Sequence, residues 1–386
     1  MSRRAWFLVS VVAALIGLGL VFLYSATAAR CENARLADPL FFLRRQLISV
    51  LVAVGAMIVA SRIPTAAWGR LRWPLLLFTF LLLGLVLVPG IGRGKSGHGA
   101  QRWLDIAGFS LQPSEMAKLT LALFLCGTAA DAERLRSFFR GFLPTFGILL
   151  LACALIARQP DVGTAIFLAL VMGLTLFAAG LRFVHLAPCA LLAAVGGWLV
   201  VGRMGHVRAR IDTWLNPDAQ PLTSGLQVKQ SLIALGSGGL WGEGLGRGIQ
   251  KLYYLPEVHA DFIFPVIGEE LGFSGTMGIL ALYLLLGASG WSIARRAGTR
   301  FGFLFSCAMT WLILIQAAFN VAVVTASVPA KGIPLPFVSH GGSALIFTMI
   351  GIGILIRVAN EGEGEKCAVS SSPGGEPAVT CIPASR

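Results

Sequence analysis

The chain has 386 residues, 56% of them hydrophobic and 13% charged, with a mean hydropathy of +0.78. Soluble domains carry roughly 25% charged residues, so a chain this apolar lacks the polar surface to cover a water-soluble fold and must have lipid as its solvent. Its net charge of +13 is scattered over short loops without interleaved aromatic residues, which argues against nucleic acid and for membrane topology and anionic phosphates.

Apolar runs predict spans near 6–28, 46–61, 73–90, 114–130, 142–157, 162–180, 183–202, 272–294, 301–326 and 339–358. Backbone groups in hydrocarbon must be paired internally, so the fold class is an all-α polytopic membrane protein of about ten transmembrane helices. The run from Trp6 to Tyr24 is longer than the ~7–15 residues of a signal-peptide core and reads as a retained first span. The fourth span is marginal because Ser114, Glu115 and Lys118 crowd its start. With the N-terminus inside, fifteen Lys and Arg fall in cytoplasmic loops and nine in short outer ones, which predicts both termini in the cytoplasm. The long loop at about 203–271 is then extracytoplasmic. One transmembrane domain, 1–360, is expected, followed by a Gly-, Ser- and Pro-rich tail, 361–386, too polar to fold. The seven cysteines contain no CxxC and read as packing residues.

Five polar motifs fall on the outer side. In the first, Arg102 and Trp103 precede Gln112-Pro113-Ser114-Glu115 and Lys118. Pro, Ser and Glu there make a good helix start. Lys118, in an apolar run, is costly and needs a carboxylate partner, which marks a functional candidate. Trp103 suits an interfacial anchor or a stacking platform for a sugar equally well. The second motif, Gln159-Pro160-Asp161, could simply cap the next helix. The third places Gln227, Lys229 and Gln230 before glycine-rich 236–246, whose amides could approach a phosphate. The fourth holds Glu257, His259, Asp261, Glu269 and Glu270. Asp261 meets Phe262-Ile263-Phe264, where partial burial would tune a carboxylate toward a general base; Glu257 and Glu269 could hold a cation or pair with Lys118. The fifth runs from Lys331 through Pro334, Pro336, Ser339 and His340 to Ser343, a rigid non-helical segment that needs protein around it. Lys331 and Ser339 are candidates for a phosphate; His340 reads as a packed side chain.

The segments GAQRW, QPSE, QPD, QSLIALGSGG, LPEVHADFIF, GEELGF and KGIPLPFVSHGGS, in this order, resemble the SEDS family of peptidoglycan glycosyltransferases (FtsW/RodA/SpoVE) from about Gly19 to Asn360, most nearly its cell-division branch. The resemblance implies that Asp261 is the catalytic carboxylate and that lipid II is polymerised on the outer face of the cytoplasmic membrane. It also implies a class B penicillin-binding protein and other division proteins as partners. Positive charge for the leaving diphosphate could come from Lys118, Arg102, Lys229 or Lys331, or from a divalent cation, Mg²⁺ or Mn²⁺, held by Glu257. His98, Gly248, Ala260, Ala322, Ala326 and His340 depart from the family pattern and bear on substrate contacts. A lipid II flippase, or a scaffold that activates a transpeptidase, are the competing expectations.

Overall fold

The structure, a computed structural model, describes residues 1–33, 40–92, 101–106, 109–131, 133, 135, 137–181, 184, 205–216, 224–253 and 261–370. Its long helices are α1 (Arg3–Asn33), α2 (Phe41–Arg62), α3 (Thr65–Val86), α4 (Pro113–Ala129), α5 (Leu143–Arg158) and α6 (Val162–Ala178). After them come α7 (Gly205–Leu215), α8 (Ser224–Ser237), the single turn α9 (Gln250–Tyr253), α10 (Ile263–Ala294), α11 (Arg300–Val324) and α12 (Gly342–Ser370). Among the described residues, seven helical segments are long and apolar enough to cross a membrane, one of them Phe138–Arg158, which joins a π-turn to α5. The expected span at 183–202 lies almost entirely outside the described residues.

The marginal fourth span turns out to be central. Residues 113–126 of α4 are all buried, packed among α3, α6, α11 and α12. At ~1.5 Å per residue its seventeen residues cover ~26 Å, short for a lipid-facing helix but sufficient for one walled by protein. That position also lets it carry Glu115 and Lys118. Ahead of it the chain forms a feature the sequence reading treated as loop, an antiparallel hairpin of β1 (Leu104–Ile106) and β2 (Phe109–Leu111), with Leu104 opposite Leu111.

Two expected boundaries move. The eighth expected span begins at Ile263, not 272, and is broken at Gly272 (φ 69°, ψ −162°) into a short inner half and a long outer half. The hydropathy pattern missed the inner half because it carries Glu269 and Glu270. Both are buried, and both fasten the glycine-rich loop: Glu269 Oε1 accepts from the amides of Ile249 (2.7 Å) and Gln250 (3.1 Å). Glu270 Oε1 meets Lys251 Nζ (2.6 Å) and accepts from Ser25 Oγ (2.6 Å) on α1. Glu269 therefore serves the loop and not Lys118. The glycines follow suit, since a side chain at Gly238 or Gly242 would run into the backbone of Gly268 or Glu270. They admit a helix, where a phosphate was expected.

The second boundary is the tail. Helix α12 continues to Ser370, past the expected limit at 360, and its Glu361 and Glu363 are docked. Glu361 accepts from Thr65 N and Oγ1 (3.2 and 2.6 Å) and pairs with Arg357, while Glu363 pairs with Arg4 (3.4 Å). Asn360 Oδ1 accepts from Ser2 N at 2.8 Å, so the start of α1 and the far part of α12 share one side of the bundle.

Lys251→Met should leave the Glu270 carboxylate buried without its cation and destabilise the protein by about 3–5 kcal/mol. The double variant Lys251→Met/Glu270→Gln should recover most of that loss. Thermal unfolding of the four proteins in one detergent checks the cycle; a single variant as stable as the parent contradicts the latch.

Candidate active site

At the end of the bundle opposite Ser2 and Asn360 lies a cavity of about 640 Å³, walled by α2, the hairpin, α4, the α5–α6 turn, α7, α8 and the segments 261–262 and 330–346. It gathers Asp261, Asp161, Arg102, Trp103, Gln112, Glu115, Lys118, Gln227, Lys331 and Ser343, residues spread over more than two hundred positions of sequence.

One wall is built on Asp161. It caps α6 by accepting from Thr164 N (3.4 Å), as its position after Pro160 suggested, and it also pairs with Lys331 at 3.1 Å. Lys331 Nζ also reaches Thr164 Oγ1 (3.1 Å), and its stem passes so close to Gly163 that a Cβ there would collide with it. Burial pushes the Asp161 carboxyl up, but Lys331 and Arg102 outweigh it and hold the group below its usual range. Burial brings Lys331 down to about 8 against the opposing pull of Asp161, with repulsion from Lys118 and Arg102 adding to the fall. Arg102 braces the same turn, donating to the carbonyls of Gln159 (3.0 Å) and Pro160.

A second wall holds Lys118, whose partners are Glu115 (2.7 Å) on its own helix and Gln316 Oε1 (2.9 Å) on α11. The cation expected to need a carboxylate has one, three residues away. A third wall, unexpected from sequence, joins Arg45 to Ser110 Oγ (3.4 Å) and Ser343 Oγ to Ser110 O (2.7 Å) beside the start of α12.

Asp261 stands where the chain turns into α10. The capping residue is Phe262, with no side-chain cap bond, so Asp261 is not consumed in starting the helix. Its backbone carbonyl accepts from Asn320 Nδ2 (2.8 Å), which also donates to Ile333 O (2.7 Å). Its carboxylate lies against Gly332, where a Cβ would overlap Oδ2. Gln316 Nε2 holds Pro334 O (2.9 Å) and Tyr283 OH holds Pro336 O (2.5 Å). Side chains of α10 and α11 thus satisfy three carbonyls of the irregular segment, which is how non-helical backbone survives inside a membrane protein.

Several expected site residues lie off the cavity wall. Ser339 Oγ accepts from Leu335 N (2.9 Å) and closes the turn, buried, so it does not offer a phosphate contact. Gln159 donates to Leu83 O (3.0 Å), and Ser114 is buried in the first turn of α4. Lys229 and Gln230 share α8 with Gln227, which alone of the three lines the cavity. Glu257 and His259 lie outside the described residues. Arg45, Arg210, Ser49, Thr164 and His340 line the cavity without having been singled out as binding residues. Among the described residues no group of three or more His, Cys, Asp or Glu could hold a metal ion, and the carboxylates on the wall are interleaved with cations.

Residues 5–364 match a family model described as cell cycle protein, FtsW/RodA/SpoVE. A probable peptidoglycan glycosyltransferase FtsW from Trichlorobacter lovleyi is 40% identical over 353 residues, 91% of this chain and 92% of that protein. Stage V sporulation protein E of Bacillus subtilis is 37% identical over 353 residues, 91% and 96% of the two chains. Among solved structures, a chain of a peptidoglycan synthase complex that coordinates polymerization and crosslinking superposes with a TM-score of 0.76 at 28% identity, covering 92% of this chain and 98% of that one. Thermus thermophilus rod shape determining protein RodA does so with a TM-score of 0.66 at 29% identity, covering 92% and 96%.

A cation that loses its proton near pH 8 gives the cavity a pH signature. Lys331 is charged below that point and neutral above it, so affinity for an anion falls as pH rises. Binding of farnesyl diphosphate to the purified protein should weaken about tenfold between pH 7 and 9. Lys331→Arg, whose guanidinium stays charged, should flatten the profile. Titration calorimetry at four pH values reads this; equal slopes for the two proteins would remove Lys331 from the anion site.

Proposed function

Because this chain belongs to the FtsW/RodA/SpoVE family of integral membrane proteins, we propose that it is a peptidoglycan glycosyltransferase whose active centre is the cavity around Asp261. The observation that carries the reading is that Asp261 shares a single cavity with Lys118, Lys331, Arg102 and Arg210, while the other two wall carboxylates, Glu115 and Asp161, are paired with the two lysines. A sugar polymerase using a lipid diphosphate donor needs that division of labour: a base for the acceptor hydroxyl and positive charge for the leaving group.

The substrate is lipid II, a disaccharide-pentapeptide on undecaprenyl diphosphate. Asp261 takes the proton of the acceptor GlcNAc 4-hydroxyl as its oxygen attacks the anomeric carbon of the donor MurNAc. The bond from that carbon to the phosphate oxygen breaks, and undecaprenyl diphosphate leaves with the electron pair. Attack opposite the leaving group turns the α-linked donor into a β-1,4 product. Asp261 then releases its proton to water. Lys331 and Lys118, braced by Asp161 and Glu115, with Arg102 and Arg210, face the developing diphosphate charge. Trp103 offers a ring to a sugar face. These side chains can supply the positive charge; Glu257, the expected holder of a divalent ion, lies outside the described residues.

The positive-inside bias supports a cytoplasmic position for the side that holds Ser2 and Asn360, and with it a cavity at the outer face of the cytoplasmic membrane. A class B penicillin-binding protein is the proposed partner, since a related chain belongs to a complex that joins polymerization to crosslinking. The described buried ion pairs Glu115–Lys118, Asp161–Lys331 and Lys251–Glu270 lie toward the cavity end of the bundle and do not form a path through it, which favours catalysis over lipid flipping.

Purified protein with lipid II, alone and with a class B penicillin-binding protein, should yield glycan strands. Asp261→Asn should cut the rate by about 10²–10⁴-fold with unfolding unchanged. Asn320→Leu, which frees the Asp261 backbone, should cost about 10²-fold through misplacement of that carboxylate. Lipid II moving between leaflets without glycan, or glycan from neither preparation, would exclude the polymerase reading.

A further inference from the structure

The loop after α8 exposes apolar side chains where an extracytoplasmic connector would be polar. Leu240, Trp241, Leu245 and Ile249 are 68%, 82%, 60% and 62% exposed. Leu232 and Ile233 on α8 are exposed as well. Water-facing surfaces rarely keep a contiguous apolar patch of this kind without an occupant.

The patch is continuous with a span. Phe273 N donates to Gly239 O (2.8 Å) and Ser274 N to Leu240 O (3.1 Å), so the loop sits on the start of the outer half of α10. That half, residues 273–294, is ~33 Å long, the thickness of a hydrocarbon core, which sets Phe273 at its edge. Phe273, Met277, Leu284, Leu285 and Trp291 are exposed along it, the side that meets acyl chains. Leu240 and Trp241 extend that side at the boundary level.

The backbone of the loop is prepared for the same place. The amides of Gly242, Glu243 and Gly244 donate to the carbonyls of Gly238, Glu269 and Glu270, and the amides freed by the break at Gly272 are taken up by loop carbonyls. These five amides are satisfied within the protein. Arg247, exposed on the same loop, is long enough to meet lipid phosphates.

We propose that the loop 238–249, with the end of α8, is a membrane-seated foot that inserts Trp241 and its apolar neighbours into the headgroup–acyl boundary of the leaflet beside the cavity. The lipid surface is the occupant because the patch prolongs a lipid-facing side and places its tryptophan at the boundary, where the amphipathic indole is favoured. Because the Lys251–Glu270 latch follows directly, the foot also sets the height of the cavity relative to lipid phosphates. The inference needs only that the chain spans a membrane and stands apart from its enzymatic activity.

The test is fluorescence quenching in nanodiscs of phosphatidylcholine brominated at acyl positions near the headgroup. The chain has nine tryptophans, so the difference between the parent and Trp241→Phe isolates one of them. The substitution keeps the site apolar and the protein folded. Bromolipid should quench the difference emission at least twofold, and aqueous iodide should leave it unchanged. Quenching by iodide, or none by bromolipid, would overturn the proposal and mark the patch as a water-facing surface for a protein.

Discussion

One side-chain amide holds the site together. Asn320 Nδ2 donates to the carbonyls of Asp261 and Ile333, tying the two non-helical stretches that carry the candidate base and Lys331 to α11. Gln316, one turn earlier, holds Pro334 O with its nitrogen and Lys118 with its oxygen. Four polar features from distant sequence are thereby referenced to one face of one helix. An unsatisfied carbonyl in a low-dielectric bundle costs several kcal/mol, so these amides fix the path of 331–336 as well as decorating it. Gly332 and Gly163 then do what side chains cannot, letting Asp261 and Lys331 approach their neighbours.

The electrostatics follow from the same confinement. Charges this deep are retained only with partners, and each buried lysine of the cavity has its carboxylate: Lys118 with Glu115, Lys331 with Asp161. The two pairs offset the lysine charges, and Arg45, Arg102 and Arg210 leave the wall with an excess of positive charge. A diphosphate entering such a space meets positive charge already oriented, without the reorganisation that water would require. Burial draws Lys331 down to about 8 in spite of the opposing pull of Asp161.

Much of this was legible in the sequence, and what was not has identifiable causes. Hydropathy located the lipid-facing helices because lipid imposes composition directly. It misplaced the start of α10, since Glu269 and Glu270 look like loop residues until their buried partners in the glycine loop and Lys251 are known. It undervalued α4, whose neighbours are protein. The tail at 361–370 read as unstructured because Thr65 and Arg4, its anchors, lie some three hundred residues away. In the site, Lys118 was conspicuous as a charge in an apolar run, and Asp161 and Lys331 stood out through their polar, proline-containing motifs. Arg45 and Arg210 were not, because loop arginines are equally explained by topology. Ser339 and Gln159 carried the composition of binding residues, but their hydrogen bonds close turns.

The central claim is that one cavity receives both the acceptor hydroxyl and the donor diphosphate. A cryo-electron microscopy structure of the Asp261→Asn protein in nanodiscs loaded with lipid II tests it most directly. The account predicts a headgroup in the cavity, with a sugar hydroxyl beside residue 261 and phosphate oxygens within hydrogen-bond reach of Lys331. A headgroup bound at the end of the bundle that holds Ser2 and Asn360, or phosphates turned away from that lysine, would contradict it.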